Sequence, residues 1–292
     1  MKISRRTFGR LSIFAGAAAL LPNSSGVPAF ADAPLTAQQI ADRIIAIMGP
    51  MWNPASYRDT FKMGDPDTPV GGVASCFMST FDVIKRAHEK GLNFVITHEP
   101  TIWTDADLLP PVQNDPLYKL KLEYVNDNKM VLWRTHDSWH KMQPEPMNAA
   151  QNKKFGWDKY ALAGDPKACQ FPSISLRDVV VQYAEKTPTE SVRVIGNPDS
   201  MIKSLTRCGH SCEQNIQGLE KYDATISIEA REFETAEYGR DLLASGAKGA
   251  MIIASHESGE ENGMELFTNW FKENLPGIHI EFIPTTDRLW TL

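Results

Sequence analysis

The chain has 292 residues, 42% of them hydrophobic and 23% charged, and a formal net charge of −6 at pH 7, a balance that suits a globular protein of one large or two small lobes. An acidic chain with no basic stripe is a poor partner for phosphate backbones, so no nucleic-acid ligand is expected. Four cysteines (Cys76, Cys169, Cys208 and Cys212) are too few for a disulfide framework.

The first 31 residues read as an address. Ser4-Arg5-Arg6-Thr7-Phe8 is a twin-arginine motif, Leu11 to Leu21 is a short, mildly apolar core, and Ala29-Phe30-Ala31 is a small-x-small cleavage site. Residues 1–31 are therefore expected to be a twin-arginine signal peptide that delivers residues 32–292 to the periplasm. Its removal takes Lys2, Arg5, Arg6 and Arg10, and the net charge falls by four, from −6 to −10. The apolar core is too short for a stable membrane span, and no later stretch approaches spanning length. Twin-arginine export carries folded proteins.

Thr36 to Met48 shows a helical stripe of Ile40, Ile44, Ile45 and Met48 behind a Thr36 cap. Met51 to Pro69 reads as a loop with a turn at Gly64-Asp-Pro-Asp-Thr. Val73 to Phe77 is a strand, Thr80 to Lys90 a helix, and Phe94-Val95-Ile96 a short apolar run of the kind buried on both faces of a parallel sheet. Pro100 ends that strand abruptly, leaving His98 and Glu99 at its lip. Strand, helix, strand in that order is a βαβ unit. Pro116 to Asn126 is a further helix, and the strand Met130 to Trp133 ends at His136.

Residues 141–170 are polar, without sustained period, and read as a connection between lobes of about 36–140 and 171–292. Ser175 to Glu185 is a helix behind a Ser cap, Val192 to Ile195 a strand, and Ile202 to Leu205 strand-like. Cys208-Gly-His-Ser-Cys212 reads as a turn that an oxidising compartment would allow to carry a disulfide, in preference to a second metal site. Ala224 to Ile228 is a strand closing on Glu229, Phe233 to Ser245 a helix, and Ala250 to Ala254 a strand leading into His256. Glu261 to Asn274 is a helix and Ile278 to Ile283 a last strand. The expected fold is α/β: two interleaved βαβ-type lobes with mixed sheets that share a metal site.

Three strand ends carry the chemistry: His98-Glu99, His136 with His140, and His256 with Glu260. The second and third pairs are four residues apart, which in a helix or turn places both side chains on one face. In open α/β sheets this carboxyl edge is where ligands bind.

The order and spacing resemble the Nif-three-like family, proteins with a dinuclear metal centre, some of which are labelled GTP cyclohydrolase type-two homologues. The resemblance runs from about Ile40 to Asp287. Gly64 to Asp67, followed by Ile96-Thr97-His98-Glu99-Pro100, is similar to the family's Gly-Asp-Pro-Asp and Ile-Thr-His-His-Pro. His136 to His140 resembles its His-x-x-x-Asp, and His256 to Glu260 matches its His-x-x-x-Glu in full. Glu99 stands where the family has a second histidine and His140 where it has an aspartate, so a carboxylate and an imidazole have exchanged places in what looks like a divergent branch.

The resemblance implies a ligand set of His98, Glu99, His140, His256 and Glu260, with His136 outside it as an orienter or proton carrier. Hard carboxylates with imidazoles and no thiolate suit two divalent first-row ions, Zn, Mn, Fe, Co or Ni. It also implies a homo-oligomer, the family's ring-shaped hexamer. Two functional classes follow: a metal-dependent hydrolase of an unknown small-molecule substrate, or a non-catalytic metal-binding or interaction protein.

Overall fold

The computed structural model describes residues 34–187 and 192–285, so the export segment expected over residues 1–31 lies outside the described residues. Thr36 opens α1 (Ala37–Met48) with a reciprocal capping box: its hydroxyl accepts from the Gln39 N–H, and the Gln39 side chain accepts from the Thr36 N–H. Ile40 and Ile44, one turn apart, face the core.

The first sheet runs in the order β1 (Phe61–Met63), β4 (Val131–Arg134), β3 (Phe94–Thr97), β2 (Val73–Cys76), β11 (Ile280–Phe282). All neighbours are parallel except the edge pair of β1 with β4. Every residue of β2, β3 and β4 is buried, because helices cover both faces, and this is why these strands read as unbroken apolar runs. Val83 and Ile84 of α2 (Phe81–Glu89) and Val125 of α3 (Pro116–Asp127) pack on one face. Ile40 and Ile44 of α1 and Phe267 and Phe271 of α9 (His256–Asn274) pack on the other.

The second sheet has the order β5 (Ala161–Leu162), β6 (Asp165–Ser175), β8 (Met201–Cys208), β9 (Ala224–Ile228), β10 (Ala250–Ala254), β7 (Arg193–Ile195). Its centre, β8-β9-β10, is parallel and its margins antiparallel. Phe155 of α5 (Pro146–Phe155) and Val179 and Tyr183 of α6 (Leu176–Lys186) build a core on one face. The expected two-lobe α/β architecture is present, and the lobes interleave because α9 and β11 return from the second sheet to cover and extend the first.

Several expectations need correction. Residues 141–170 are not a bare connection: they hold α5, β5 and the start of β6. Glu145 caps α5, Pro146 takes its first turn and Gly156 ends it in the left-handed conformation at φ 69°. Its apolar residues are too scattered to show as a stripe. The last long helix begins at His256, five residues before the expected Glu261, because Ser255 caps it there. The loop over Met51 to Pro69 contains the edge strand β1. All four cysteines are free: the Cys208 thiol faces the Gln214 carbonyl at 3.3 Å, while Cys212 opens α7 (Cys212–Leu219). The helix expected from Phe233 starts as a π-helical turn, Glu232–Ala236, before α8 (Glu237–Ala244). Among the described residues no helix is long and apolar enough to cross a membrane.

Lys121 ties the lips of β2 and β3 together. It is 1% exposed, and its ammonium donates to the carbonyls of Ser79 (2.7 Å) and Thr101 (2.6 Å). Burial brings its pKa down from 10.5 to about 8, against the opposing pull of Cys76 and Asp107. Between about pH 8 and 10.5 the unfolded chain therefore binds more protons than the folded one, and stability from this group rises with pH. The stability advantage of the wild type over Lys121→Met, read by urea denaturation, is expected to grow from pH 8 to pH 10. A constant difference would show that Lys121 keeps its charge.

Candidate metal centre

All six side chains singled out in the sequence meet at the carboxyl edges of β3, β4 and β10. After Thr97 the chain bends: the N–H groups of His98 and Glu99 both reach the Phe77 carbonyl, at 3.2 and 2.8 Å. The buried Arg134 guanidinium takes the His98 carbonyl at 2.8 Å and Glu99 Oε2 at 3.2 Å. Two neighbours that would point apart in an extended strand are thereby turned into one site.

Beyond β4, the Asp59 carboxylate accepts from the N–H groups of His136, Asp137 and Ser138. It caps α4 (Asp137–Lys141) from another part of the chain, and His136 and His140 stand a turn apart. Beyond β10, the Ser255 hydroxyl accepts from the Ser258 N–H, which makes His256 the first residue of α9 and sets Glu260 one turn on.

The distances are short. His98 Nε2 lies 3.2 Å from His140 Nε2 and 3.4 Å from Glu260 Oε2. His256 Nε2 lies 3.1 Å from Glu260 Oε2 and 3.3 Å from Glu99 Oε1, and His136 Nε2 is 3.7 Å from the same Glu99 oxygen. Two trios have ligand atoms all within 4.8 Å of one another: His98, His136 and His140, and His98, Glu99 and Glu260. Fully buried Phe77 packs its ring against His98 and His256 and walls the site on its apolar side.

The outward ring nitrogens fix the chemistry. Each Nδ1 has an oxygen beside it: the Thr135 carbonyl for His98 (3.2 Å), Asp137 for His136 (2.9 Å), Glu145 for His140 (2.9 Å) and Glu229 for His256 (3.4 Å). An oxygen acceptor draws the ring proton to Nδ1 and turns the Nε2 lone pair inward, the arrangement of histidines that hold metals. Two inward lone pairs 3.2 Å apart, those of His98 and His140, repel unless a cation or proton lies between them. Among the described residues, buried Glu99 Oε1 has no hydrogen-bond partner. The donor set therefore fits divalent metal.

Without metal the carboxylates make two of the rings, His256 and His140, hold protons. Burial alone would lower the pKa of His256, but Glu229, Glu260 and Glu99 raise it to about 10. His140 is raised likewise, against burial, by Glu145 and Glu260. Burial would raise Glu260, yet His256 and His98 hold it well below the usual carboxylate range. His136 goes the other way, lowered by burial and by the neighbouring His98 and His140.

The supporting residues escaped the sequence reading. Arg134, Asp59, Asp137, Glu145 and Glu229 touch the six candidate residues, and no spacing rule marks them. Asp137, directly after His136, and Glu145, just before a proline at a helix start, were the readable signals. His210 also comes near, its ring 6.3 Å from that of His256. The Cys208–Cys212 turn gathers no metal-ligating group among the described residues.

The sequence matches the Duf34/NIF3 (NGG1p interacting factor 3) family over residues 41–288. A protein of Clostridium acetobutylicum named GTP cyclohydrolase 1 type 2 homolog is 24% identical over 168 residues, covering 52% of this chain and 61% of that protein. Among solved structures, a hypothetical protein of Staphylococcus aureus superposes with a TM-score of 0.69 at 18% identity, over 89% of this chain and all of that one. A Bacillus cereus protein related to NIF3 gives a TM-score of 0.69 at 11% identity, over 89% of this chain and 99% of that one. At such identities the likeness shows the fold.

A proton held by His256 up to about pH 10 must leave when its Nε2 takes a metal. Zinc added to chelator-treated protein is therefore expected to release protons near pH 7, read by calorimetry in buffers of different ionisation enthalpy, and to bind more tightly as pH rises from 6 to 8. Heats independent of the buffer would sink the assignment of His256.

Proposed function

The chain belongs to the Duf34/NIF3 family, and on that premise we propose that it is a dinuclear divalent-metal protein that hydrolyses a small molecule. The observation that carries the reading is the convergence of four imidazole Nε2 atoms and two carboxylates, with an oxygen beside every Nδ1. Six donors exceed what one ion with an open position takes and suit two ions such as Zn, Mn, Fe, Co or Ni. His98 has a single free nitrogen and serves one ion only. His98, His136 and His140 would hold the first, and Glu99, His256 and Glu260 the second. A pair of ions so held would lower the pKa of a water between them and clamp a developing oxyanion.

The chain's own residues supply rigidity and access. Thr135, Asp137, Glu145 and Glu229 hold the rings, Arg134 holds Glu99, and a cavity of about 640 Å³ reaches His140 and Glu260. The proposal moves His136 from the proton carrier expected from the sequence to a ligand. Its Nε2 faces the cluster, and burial, with His98 and His140 beside it, keeps its pKa low, so it offers a lone pair at neutral pH.

Protein purified without chelator is expected to carry close to two divalent ions per chain by elemental analysis, and to hydrolyse at least one ester, amide or phosphodiester in a broad screen. Glu260→Gln keeps the volume and removes the charge; it should lose metal and turnover with far-UV dichroism unchanged. His136→Ala should lose one ion. If it keeps both and merely slows turnover by roughly 10²–10⁴-fold, His136 is a general acid or base. A metal-replete wild type inactive across the screen would leave a metal-binding protein without turnover.

We also propose that residues 1–31 export the chain to the periplasm by the twin-arginine route. The support is the Ser4 to Phe8 motif and the small-x-small site at Ala29 to Ala31. Fractionation should find the mature chain beginning near Asp32, and replacing Arg5 and Arg6 by Lys should retain it in the cytoplasm. Unchanged export would mean another route.

A further inference from the structure

The cavity of about 640 Å³ beside the metal centre is lined by groups of both charges. His140 and Glu260 belong to the metal centre. The start of β6 and the carboxyl edge of β8 bring Lys167 and Arg207 to its wall, the turn between α7 and β9 brings Lys221, and Thr206 and Tyr222 line it as well. The volume is that of pockets that enclose a small organic molecule, roughly 300–1,000 Å³.

The acids and the cations of the lining are differently occupied. Glu260 is engaged by His98 and His256, and Glu145 by His140 and the N–H groups of Met147 and Asn148. Asp165 accepts from the Lys167 N–H and the Tyr222 hydroxyl. The cations have no such partners: among the described residues Lys167, Arg207 and Lys221 form no ion pair, and the two lysines are exposed.

Arg207 is the unusual member. It is 8% exposed, and Nη1 donates to the carbonyls of Pro166 (3.3 Å) and Lys167 (3.4 Å). Among the described residues the closed-off Nε and Nη2 have no hydrogen-bond acceptor beyond the Cys169 thiol. Its guanidinium lies 5.4 Å from the Trp157 ring, with the Cys169 thiol nearby, and neither neutralises a charge. A buried cation with unpaired donors is unfavourable unless an anion approaches it. Glu145, the cavity carboxylate whose field reaches Arg207, is already bonded to His140, Met147 and Asn148, which leaves room for an anion from a ligand.

We infer that this cavity takes the anionic group, a carboxylate or a phosphate, of the molecule on which the metal centre acts, with Lys167, Arg207 and Lys221 gathered around the anion and the reacting bond turned toward Glu260 and His140. The reaction rests on the hydrolase reading, whereas the anion site stands on the cavity alone. Charge-assisted hydrogen bonds to guanidinium and ammonium groups give the site its selectivity over neutral molecules of the same size.

The test uses the full chain, stripped of metal by chelator, titrated calorimetrically with inorganic phosphate in one arm and succinate in the other. Saturable binding of at least one anion below about 10 mM is expected, and the arm that binds identifies the headgroup. The double variant Lys167→Glu, Lys221→Glu, both changes on the surface, should weaken binding at least about tenfold with the same thermal unfolding midpoint. Arg207→Met should weaken it further if it folds. Binding of neither anion, or binding that the lysine variant leaves unchanged because the anion sits on protonated histidines, would overturn the inference. Because no metal is present, anion binding without any hydrolysis in the loaded protein would remove the hydrolase reading and leave this site standing.

Discussion

A buried guanidinium at the end of β4 holds the first half of the site in shape. Arg134 is fully buried, and a charge in that position is tolerated only where its donors are satisfied. Nε takes the His98 carbonyl, Nη1 the Asp105 carbonyl and Asp107, and Nη2 Glu99. Asp107 also pairs with Lys62 at 3.2 Å and accepts from the N–H groups of Thr101 and Ile102, so the loop after Pro100 is folded around the same charge. One side chain thus sets the bend at His98, the orientation of Glu99 and the course of the loop that closes over them. Without it, a buried carboxylate and a carbonyl would both lack their donor, which is why the lip of β3 depends on a residue of the neighbouring strand.

The second half is placed by close helix packing. α9 carries His256 and Glu260 in its first turns and must lie against α5 and β9 to bring them to the other ligands. Gly259 and Gly263, on either side of Glu260, make that approach possible. A Cβ at Gly263 would stand 1.7 Å from the Met147 sulfur, and one at Gly259 2.7 Å from Ile228. The Tyr183 hydroxyl bonds the Ser258 hydroxyl at 2.8 Å and fixes the helix start from α6. The same helix buries Phe267 and Phe271 in the core of the first sheet while its first turn is tied to Tyr183 of the second, and that turn reaches the candidate residues after β3 and β4.

Much of this was legible in the sequence, and the reasons are physical. Parallel strands buried on both faces announce themselves as apolar runs, and caps such as Thr36 and Ser175 mark helix starts, so β2, β3, β4, β9 and β10 and the helices α1, α2, α3 and α6 fall where expected. The candidate site residues sit where those runs stop, which made them readable, although the sequence set His136 apart from the other five. What failed was structure held by long-range contacts. α5 is stabilised by Glu145 capping and by packing on α9, and its own sequence shows no stripe. The true start of α9 is hidden by the polar run His256 to Asn262, which gains its helical partners only from the second lobe. Arg134 and Asp59 act on backbone atoms far away in sequence, and local pattern carries no trace of such partners. The cysteines misled because compartment chemistry says that a bridge is allowed, while only geometry says whether two thiols meet.

The charge arrangement joins these pieces into one device. Three carboxylates, Asp137, Glu145 and Glu229, lie on the Nδ1 side of the rings, and two, Glu99 and Glu260, on the Nε2 side. The outer three orient the imidazoles and raise their basicity; the inner two, with the Nε2 lone pairs, make a pocket of negative potential that a cation must fill. In the absence of metal, protons on His256 and His140 fill it, which is why those two are raised, while burial and the neighbouring His98 and His140 lower His136. Metal and protons therefore compete for the same space. Lys167, Arg207 and Lys221 line the adjoining cavity, so a molecule with an anionic end is drawn to them and its reactive part is turned toward His140 and Glu260. The fold brings the two sets together by placing the candidate site at the carboxyl edges of β3, β4 and β10 and the cations at the end of β8, the antiparallel start of β6 and the turn before β9, where a second sheet of mixed direction brings different strand ends to the same cavity.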